Sequence, residues 1–219
     1  MNSLILFLFS AFCSTSLQSK ETIVLTQGNH LFITDVVDQN SREILIASSQ
    51  LLTKKTIYLY LHSNGGDVLE GNQIIETLHY LIQSGYDLRC IAQKAYSMAF
   101  HIFQHCPIRY ITDTSTVMQH QISLGVSGNY GQIRSYLAMI EQMNHHHIEH
   151  SAKRLQMSYD EFQTRINQDW WVYGSHIIKE HMADKIISVG CDPSLFDVTY
   201  RKQGVSGEII EINGCPLLH

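Results

Sequence analysis

The stretch TIYLYLHSNGGDVLEG, residues 56–71, decides how the chain folds. Its first half, residues 56–62, is rich in β-branched and aromatic residues and predicts a buried strand. Two glycines follow, and apolar residues then recur at helical spacing from Val68 to Ile82, with Gly85 placed to end the helix. A strand joined to a helix by a short glycine turn is typical of a parallel α/β core.

The same alternation of strands and helices extends along most of the chain. The pattern predicts further strands at residues 22–25, 30–37, 88–93, 108–112, 116–121 and 208–212. It predicts further helices at residues 41–52, 97–106 and 130–155, a short helix that begins with a Ser158/Glu161 capping box and ends near Asn167, and another helix from Ser175. We therefore expect an α/β fold around a parallel sheet.

Length and composition limit the class of protein. The chain of 219 residues is long enough for one domain with a sizeable core. A composition of 44% hydrophobic and 16% charged residues is typical of a globular protein. The net charge of −5 gives no electrostatic reason to expect nucleic acid as a partner. No uninterrupted apolar run approaches the ~18 residues that span a membrane.

The first 19 residues differ from the rest. An apolar core, residues 4–13, is followed by small polar residues, and no charged side chain precedes Lys20. This segment resembles a secretory signal peptide with cleavage after Ser16 or Ser19, which predicts a periplasmic or secreted protein. The alternative is an apolar N-terminal strand or helix of a cytoplasmic protein.

Four cysteines follow that segment, namely Cys90, Cys106, Cys191 and Cys215. None belongs to a Cys-x-x-Cys pair, which disfavours a zinc site and thioredoxin-like chemistry. An oxidising compartment would permit disulfides, and Cys191 with Cys215 is the first pair to consider. Buried free thiols are an open alternative.

Two strand-to-helix junctions carry candidate chemistry. At HSNGGDV, residues 62–68, the paired glycines let backbone N–H groups approach a ligand, as in an oxyanion hole, although a simple tight turn has the same sequence. At KAYSMAF, residues 94–100, Ser97 is either the N-cap of a helix or a nucleophile. In the second case the N–H groups of Gly66 and Met98 would point into the same space, as acyl transfer requires.

A nucleophilic serine needs a base and a group that orients the base. His120 ends the predicted strand TVMQHQ, and Asp169 follows the predicted short helix and precedes two tryptophans. Taken singly, a histidine at a strand end is more often structural, and an aspartate at a helix end is more often solvated or capping. Position alone therefore leaves both roles open.

Four segments in order resemble the Clp protease proteolytic subunit family. YLYLHSNGGDVLEG (58–71) is similar to that family's strand, glycine turn and helix, whose pattern reads YINSPGG. AYSMA (95–99) resembles the nucleophile segment AASMG, and TVMQHQ (116–121) resembles VMIHQP. QDWWVYGSHIIKEHMADKI (168–186) aligns without a gap with the segment that runs from the family's catalytic aspartate to a VDKI-like strand. The resemblance covers about residues 29–190.

The resemblance implies a crotonase-like spiral of repeated strand-strand-helix turns and a serine peptidase triad without a cofactor. Ser97 would attack the peptide carbonyl, His120 would move the proton, and Asp169 would hold the imidazole. The N–H groups of Gly66 and Met98 would bind the oxyanion.

The resemblance also implies partners and a division of the chain. Peptide or unfolded-protein substrates would lie extended between Val68 and Leu124 and pair through main-chain hydrogen bonds. The helix at 130–155 would protrude as a handle that joins stacked homo-oligomeric rings. The peptidase domain would occupy residues 20–196 and a C-terminal extension residues 197–219. A Clp-type ATPase would be a partner only of a cytoplasmic protein.

Some positions depart from the family's pattern. Asn64 and Ile122 replace prolines, Tyr96 replaces a small residue, and Ala99 replaces a glycine. None of these changes removes a catalytic group, which favours an active enzyme over an inactive ring or scaffold subunit. An acyl-CoA enzyme of the wider crotonase group ranks lower, because it does not require the three proposed triad residues. A Ser-Lys pair that uses Lys94 is a further alternative.

The run NHHHIEH, residues 144–150, raises the question of a metal site. His146 and His150 are one helical turn apart, but a third ligand is not evident, so we expect no metal. A polar run of this kind predicts a solvated or interface face of the helix. Histidines at a ring interface would make assembly sensitive to pH.

Overall fold

The computed structural model describes residues 20–203 and 209–218. The predicted signal peptide, residues 1–19, lies outside the described residues. In the part of the chain that is described, no helix combines the length and apolar character needed to cross a bilayer.

Strands and helices alternate through most of the described chain. The strands are β1 (Thr22–Leu25), β2 (His30–Val37), β3 (Thr56–Gly66), β4 (Asp87–Tyr96), β5 (Ile108–Gln119), β6 (Trp170–Tyr173), β7 (Lys185–Ile186), β8 (Ser188–Cys191), β9 (Thr199–Gln203) and β10 (Ile209–Asn213). The helices are α1 (Gln39–Ser49), α2 (Val68–Gln83), α3 (Met98–Gln104), α4 (Tyr130–Arg154), α5 (Tyr159–Arg165) and α6 (His176–Lys179), with a 3₁₀ turn at Pro193–Leu195.

The main sheet has the strand order β2-β3-β4-β5-β6, and β7 also pairs with β5. Strands β2 to β5 are parallel, β6 is antiparallel to β5, and β7 is parallel to it. The predicted α/β fold with a parallel core is therefore confirmed. Strands β1 and β8 form a separate parallel pair, and β9 and β10 form an antiparallel hairpin.

The two strands predicted at 108–112 and 116–121 are one continuous strand, β5. The buried Ser115 explains the difference, because its Oγ accepts a hydrogen bond from Thr112 N–H at 2.7 Å and donates one to the Ala92 carbonyl at 2.6 Å. The side chain thus replaces ladder hydrogen bonds where the β4–β5 register shifts.

Strand β3 is buried on both faces, which explains its nearly continuous apolar run. Leu59 and Leu61 belong to the larger core cluster, which also contains Ile74 and Leu78 of α2. Tyr60 faces the opposite way, into a second cluster that lies under the C-terminal segment. Complete burial of a side chain such as Leu78 contributes about 2 kcal/mol.

Two disulfides join the described cysteines in pairs. Cys191, at the end of β8, bonds to Cys215, and Cys90 of β4 bonds to Cys106, just beyond α3. The expected Cys191–Cys215 pair is therefore present, and the alternative of free thiols is wrong for this structure. Cys215 is buried in the second core cluster, so the bond holds the C-terminal segment against that face of the sheet.

The histidine-rich run of α4 is divided between solvent and the protein, with His145, His146 and Glu149 exposed. His147 is buried and His150 is half-buried, so at these two positions the solvated alternative of the predicted solvated or interface face does not hold. The reason is that α4 packs against α2 and α3, which carry histidines of their own. We call this set the histidine seam: His79 of α2, His101 and His105 of α3, and His146, His147 and His150 of α4.

Close contacts join the rings of the histidine seam. The rings of His105 and His150 stack with centroids 3.7 Å apart, and the His101 and His147 rings are 4.6 Å apart. Burial, helped by the charges of the neighbouring histidines, lowers the pKa of His105 to about 3 and that of His147 to about 4. A cavity of about 250 Å³, lined also by Glu76, lies beside these rings.

We expect the Cys191–Cys215 bond to stabilise the fold. The two cysteines are 24 residues apart, and closing a loop of that length is worth about 3 kcal/mol in the chain-entropy account. A Cys191→Ser/Cys215→Ser variant should therefore lose about 3 kcal/mol of unfolding free energy in a urea titration. An unchanged midpoint in the variant, measured against the oxidised parent, would contradict this expectation.

The histidine seam predicts that stability falls in acid. In the unfolded chain these histidines bind protons below about pH 6.5, whereas in the fold His105 and His147 resist protonation until the pH approaches 3 to 4. Proton uptake therefore favours unfolding as the pH falls through this window. We expect Tm to fall by about 5–10 °C between pH 7 and pH 4.5.

The control for this effect is a His105→Phe/His147→Phe variant, followed by calorimetry over the same pH range. Its Tm should fall less than that of the parent, because two of the groups that resist protonation are gone. Parallel pH profiles for the two proteins would show that carboxylates alone cause the acid effect.

Candidate active site

Ser97 occupies the junction between β4 and α3. It is the N-cap residue of α3, but its side chain makes no capping hydrogen bond. Its backbone has φ 52° and ψ −120°, a conformation that glycine favours and other residues rarely adopt. Such backbone strain costs about 1–3 kcal/mol and is found where a side chain must be held in a particular direction. Ser97 therefore occupies the N-cap position, but its side chain does not cap the helix.

His120 lies directly beyond the end of β5, beside the end of β4. Tyr96 pairs with Met118 in the β4–β5 ladder, and the Ser97 N–H donates to the Met118 carbonyl at 2.9 Å. Two residues later the imidazole of His120 turns back, and its Nε2 lies 2.8 Å from Ser97 Oγ. This is the distance at which a base can take a proton from a hydroxyl.

Asp169 lies near His120 but is not bonded to it. Strand β6 pairs with β5 through Gln119 and Trp170, and one further step in this antiparallel register places Asp169 opposite His120. The Asp169 side chain is exposed, and among the described residues no hydrogen bond joins it to His120. The structure therefore brings Ser97 and His120 together and leaves the carboxylate outside the pair.

The Gly65–Gly66 turn packs directly against the start of α3. A Cβ added to Gly65 would lie 2.7 Å from the Cβ of Ser97 and 2.8 Å from the backbone nitrogen of Met98. The Gly65 N–H donates to Ser63 Oγ at 3.1 Å, and Ser63 Oγ donates to the Asp35 carbonyl at 2.6 Å. Gly65 is thus engaged by Ser63, while Gly66 is the exposed member of the pair.

The Met98 side chain connects the nucleophile segment to α2. It is buried, and a Cβ added to Gly71 would lie 2.3 Å from Met98 Cγ. Residues 56–71 therefore position the start of α3 at two points. The turn at Gly65 packs against Ser97, and Gly71, which lacks a side chain, leaves room for Met98.

The residues proposed to bind substrate lie at the starts of α2 and of the loop after β5. Val68 packs in part against the main core, and Leu124 is exposed. A concavity of about 450 Å³ lies farther along this loop, where Val126 and Ser127 face Ile133 and Tyr136 of α4.

Tyr96 and Lys94 have partners of their own. The Tyr96 hydroxyl donates to Thr116 Oγ1 at 3.0 Å, and its ring packs edge-on against Trp171. Lys94 Nζ lies 5.4 Å from the centre of the Tyr96 ring. These contacts favour His120 over Lys94 as the base, because the described side-chain partner of Ser97 Oγ is His120.

Three polar residues near the site were not singled out from the sequence. Ser63 shapes the glycine turn, and Gln119 and His101 lie buried in contact with each other beside Ser97 and His120. The alternation of side chains in TVMQHQ could have predicted that Gln119 is buried. If His120 faces the site, its neighbour must face the core, where an amide needs a partner.

The histidine seam does not form a metal centre in this structure. Within residues 20–203 and 209–218, no group of three or more His, Cys, Asp or Glu side chains is arranged to hold a metal ion.

The structure thus places a strained serine at a strand-to-helix junction, a histidine within hydrogen-bond distance and a glycine turn together on a mixed α/β fold. A family model described as Clp protease matches residues 15–190. The chain therefore belongs to the Clp protease family, a family of serine-type peptidases.

The close approach at Gly65 predicts a strong effect of one methyl group. Gly65→Ala would place a Cβ 2.5 Å from the Tyr96 carbonyl oxygen, at a φ of +85°, and would displace Ser97. We expect a loss of peptidase rate of about 100-fold or more, since a 1 Å misplacement of a reacting group costs on that order. Gly190→Ala is the matched control, because nothing lies within 4 Å of the added Cβ there. Equal activity of the two variants would contradict this account.

Proposed function

We propose that this chain is a serine endopeptidase that hydrolyses peptide bonds through an acyl-enzyme. One observation carries the proposal: Ser97 has the backbone conformation of a constrained nucleophile, and its Oγ is hydrogen-bonded to His120 Nε2 at 2.8 Å. Membership of the Clp protease family supports the same chemistry.

The reaction follows from the roles of these groups. His120 removes the proton of Ser97 Oγ as this oxygen attacks the carbonyl carbon of the scissile peptide bond. The imidazolium then gives the proton to the leaving amine, and water hydrolyses the acyl-enzyme by the same route in reverse. The N–H groups of Gly66 and Met98 stabilise the oxyanion. The support for this pairing is indirect: Gly65, the residue before Gly66 in the turn, packs against the Met98 nitrogen, and Gly66 is exposed beside it.

Asp169 completes the triad in this proposal. Its position opposite His120 in the extended β5–β6 register requires only a local change for the carboxylate to reach the imidazole. In that arrangement it would fix the tautomer of His120 and stabilise the imidazolium. We propose that substrate or assembly brings about this change.

The proposed substrate is a peptide or an unfolded polypeptide. It would lie extended between the segments at Val68 and Leu124 and bind mainly through its main chain. Binding of this kind gives little side-chain selectivity, which suits a peptidase that acts on many sequences.

The proposed assembly is a homo-oligomeric ring in which each chain has the crotonase-like spiral and α4 is the protruding handle. The N-terminal half of α4 and the loop before it support an interface there, because they expose apolar side chains at neighbouring positions. The exposed residues are Leu124, Val126, Tyr130, Tyr136, Leu137 and Met139.

We further propose that the protein is exported and acts without ATP. The signal-like composition of residues 1–19 supports export, and the two disulfides suit an oxidising compartment. An exported peptidase has no ATPase to unfold its substrates, so these must arrive short or unfolded. In a cytoplasmic protein a Clp-type ATPase would take that role.

A second candidate is a catalytically inactive ring subunit. The observation that favours it is the exposed Asp169 carboxylate, which no described hydrogen bond joins to His120. Such a subunit would keep the Ser97–His120 contact without reacting at a useful rate.

Fluorophosphonate labelling separates the two candidates. The parent protein should gain one covalent adduct, read from its intact mass, and Ser97→Ala should gain none. His120→Ala should slow labelling by about 10³-fold or more, because the base is lost. Ser175→Ala and Lys94→Ala should label like the parent.

A folded, oligomeric parent without any adduct would favour the inactive subunit. Loss of labelling in a folded Lys94→Ala variant would replace His120 by Lys94 as the base. The mass of the untreated protein, purified after export, tests the signal peptide: removal of 16 or 19 residues supports export, and an intact N-terminus contradicts it.

A further inference from the structure

A chain of buried polar side chains runs beneath the Ser97–His120 pair. The Gln119 amide nitrogen lies 2.6 Å from His101 Nε2, and His101 Nδ1 lies 3.2 Å from Ser151 Oγ. All three side chains are at most 6% exposed. We call this chain the polar bridge; it joins the end of β5, α3 and α4.

Gln119 is the neighbour of His120 in the sequence. Exposure alternates along the end of β5, with Val117 and Gln119 buried and Met118 and His120 half-buried. The side chains of Gln119 and His120 therefore leave the backbone on opposite sides. Holding Gln119 on the core side fixes the direction in which the His120 imidazole extends.

His101 lies one helical turn after Ser97. Its backbone N–H donates to the Ser97 carbonyl at 3.3 Å, within the first turn of α3. Its side chain contacts Gln119 of β5, the residue before His120. His101 is thus bonded to Ser97, and the residue that it contacts is bonded to His120. The contact between His101 and Gln119 thus adds a side-chain link between α3 and the end of β5 to the backbone hydrogen bond from Ser97 to Met118.

The polar bridge is not an obvious choice for stability. Phe100, Ile102 and Val117, its neighbours along the chain, are fully buried, and the His147 ring lies 4.6 Å from the His101 ring. The Oε1 atom of Gln119 is buried without a hydrogen-bond partner among the described residues. An apolar pair at positions 101 and 119 would avoid this cost. Polar groups in a core specify geometry more strictly than apolar ones, because hydrogen bonds are directional.

Burial keeps His101 neutral. It holds the pKa of the His101 imidazole well below its usual value, and the nearby histidines of the seam act in the same direction. A neutral imidazole has one N–H and one lone pair, so it can bridge a donor and an acceptor on its two sides.

We propose that His101 and Gln119 are positioning residues that hold His120 Nε2 at Ser97 Oγ, and that Ser151 couples this geometry to the packing of α4. This inference rests on the proposed serine peptidase function. It adds a route by which a change at α4 alters the reactivity of Ser97.

The test uses a readout that does not require peptidase activity. In a Ser97→Cys variant of the full chain, the introduced thiol reports the nearby imidazole, because an adjacent base stabilises the thiolate and lowers the thiol pKa below about 8.5. This pKa is measured from the pH dependence of alkylation by iodoacetamide, read by mass spectrometry on the peptide that contains position 97. The other described cysteines are in disulfides and do not react.

Removing the polar bridge should separate the thiol from the imidazole. With Gln119→Leu or His101→Phe added to Ser97→Cys, we expect the thiol pKa to rise by about one pH unit or more, towards 8.5. Where a single variant does not fold, the His101→Phe/Gln119→Leu pair replaces both polar groups and keeps the core apolar. In the Ser97 background the same changes should lower kcat about tenfold or more and leave KM within about twofold, as expected when only the reacting groups move.

Two matched controls separate positioning from general loss of stability. His30→Phe changes another buried histidine, which bonds to the Thr26 and Gly214 carbonyls. Ser48→Ala changes another buried helical serine, which bonds within α1. Both should leave the thiol pKa unchanged, whereas Ser151→Ala should raise it by a smaller amount than Gln119→Leu. An effect of equal size from the controls would overturn the proposal.

The outcomes distinguish this inference from the proposed function. A low thiol pKa that Gln119→Leu and His101→Phe leave unchanged would overturn the polar bridge and leave the peptidase proposal standing. A thiol pKa near 8.5 with the bridge intact, together with a parent that fluorophosphonate does not label, would overturn both, because no activated pair would exist for the bridge to position.

Discussion

The approach of the Gly65–Gly66 turn to the start of α3 is the contact on which the site depends. Backbone meets backbone there, with no room for a Cβ between the turn and Ser97. The contact requires β3 and β4 to be adjacent and parallel, so that both strand ends reach the same edge of the sheet. It also requires α2 and α3 to leave that edge side by side, which Gly71 permits by making room for Met98. The position of Ser97 therefore depends on the parallel order of β3 and β4.

Much of this arrangement could be predicted from local sequence. Strands β1 to β4 and helices α2 to α4 follow from apolar periods of two or 3.6 residues and from glycines placed at turns. Strand β6 was not predicted, because WWVY is short and follows polar residues that suggested the end of a helix. Its burial does alternate, however, with Val172 inside and Trp171 and Tyr173 outside. The pairing of Ser97 with His120 required the resemblance as well, since the two residues lie 23 positions apart.

The buried polar side chains were the feature hardest to predict from the sequence. A run such as NHHHIEH predicts solvent exposure when it is judged by hydropathy alone. Its inward-facing histidines can be buried because α2 and α3 supply hydrogen-bond partners. Asn72 bonds to His147, and the Gln104 carbonyl bonds to His150. Such partners come from distant parts of the chain, so no local pattern contains them. The contact of Asp169 with His120 could not be predicted for a similar reason. The β5–β6 register allows this contact, but the conformation of the side chains decides whether it forms.

The Cys90–Cys106 bond has a consequence for the proposed peptidase activity. The bond joins β4 to the end of α3 across 16 residues, and Ser97 lies within the closed segment. A peptidase at high local concentration is exposed to copies of itself, and the segments at risk are those that open locally and enter a neighbouring site as extended chain. A segment closed on itself by a covalent bond cannot extend fully. If Ser97 is the nucleophile, as proposed, the part of the chain that carries it is thereby less able to become a substrate, and resistance to self-digestion lies beside the reacting residue.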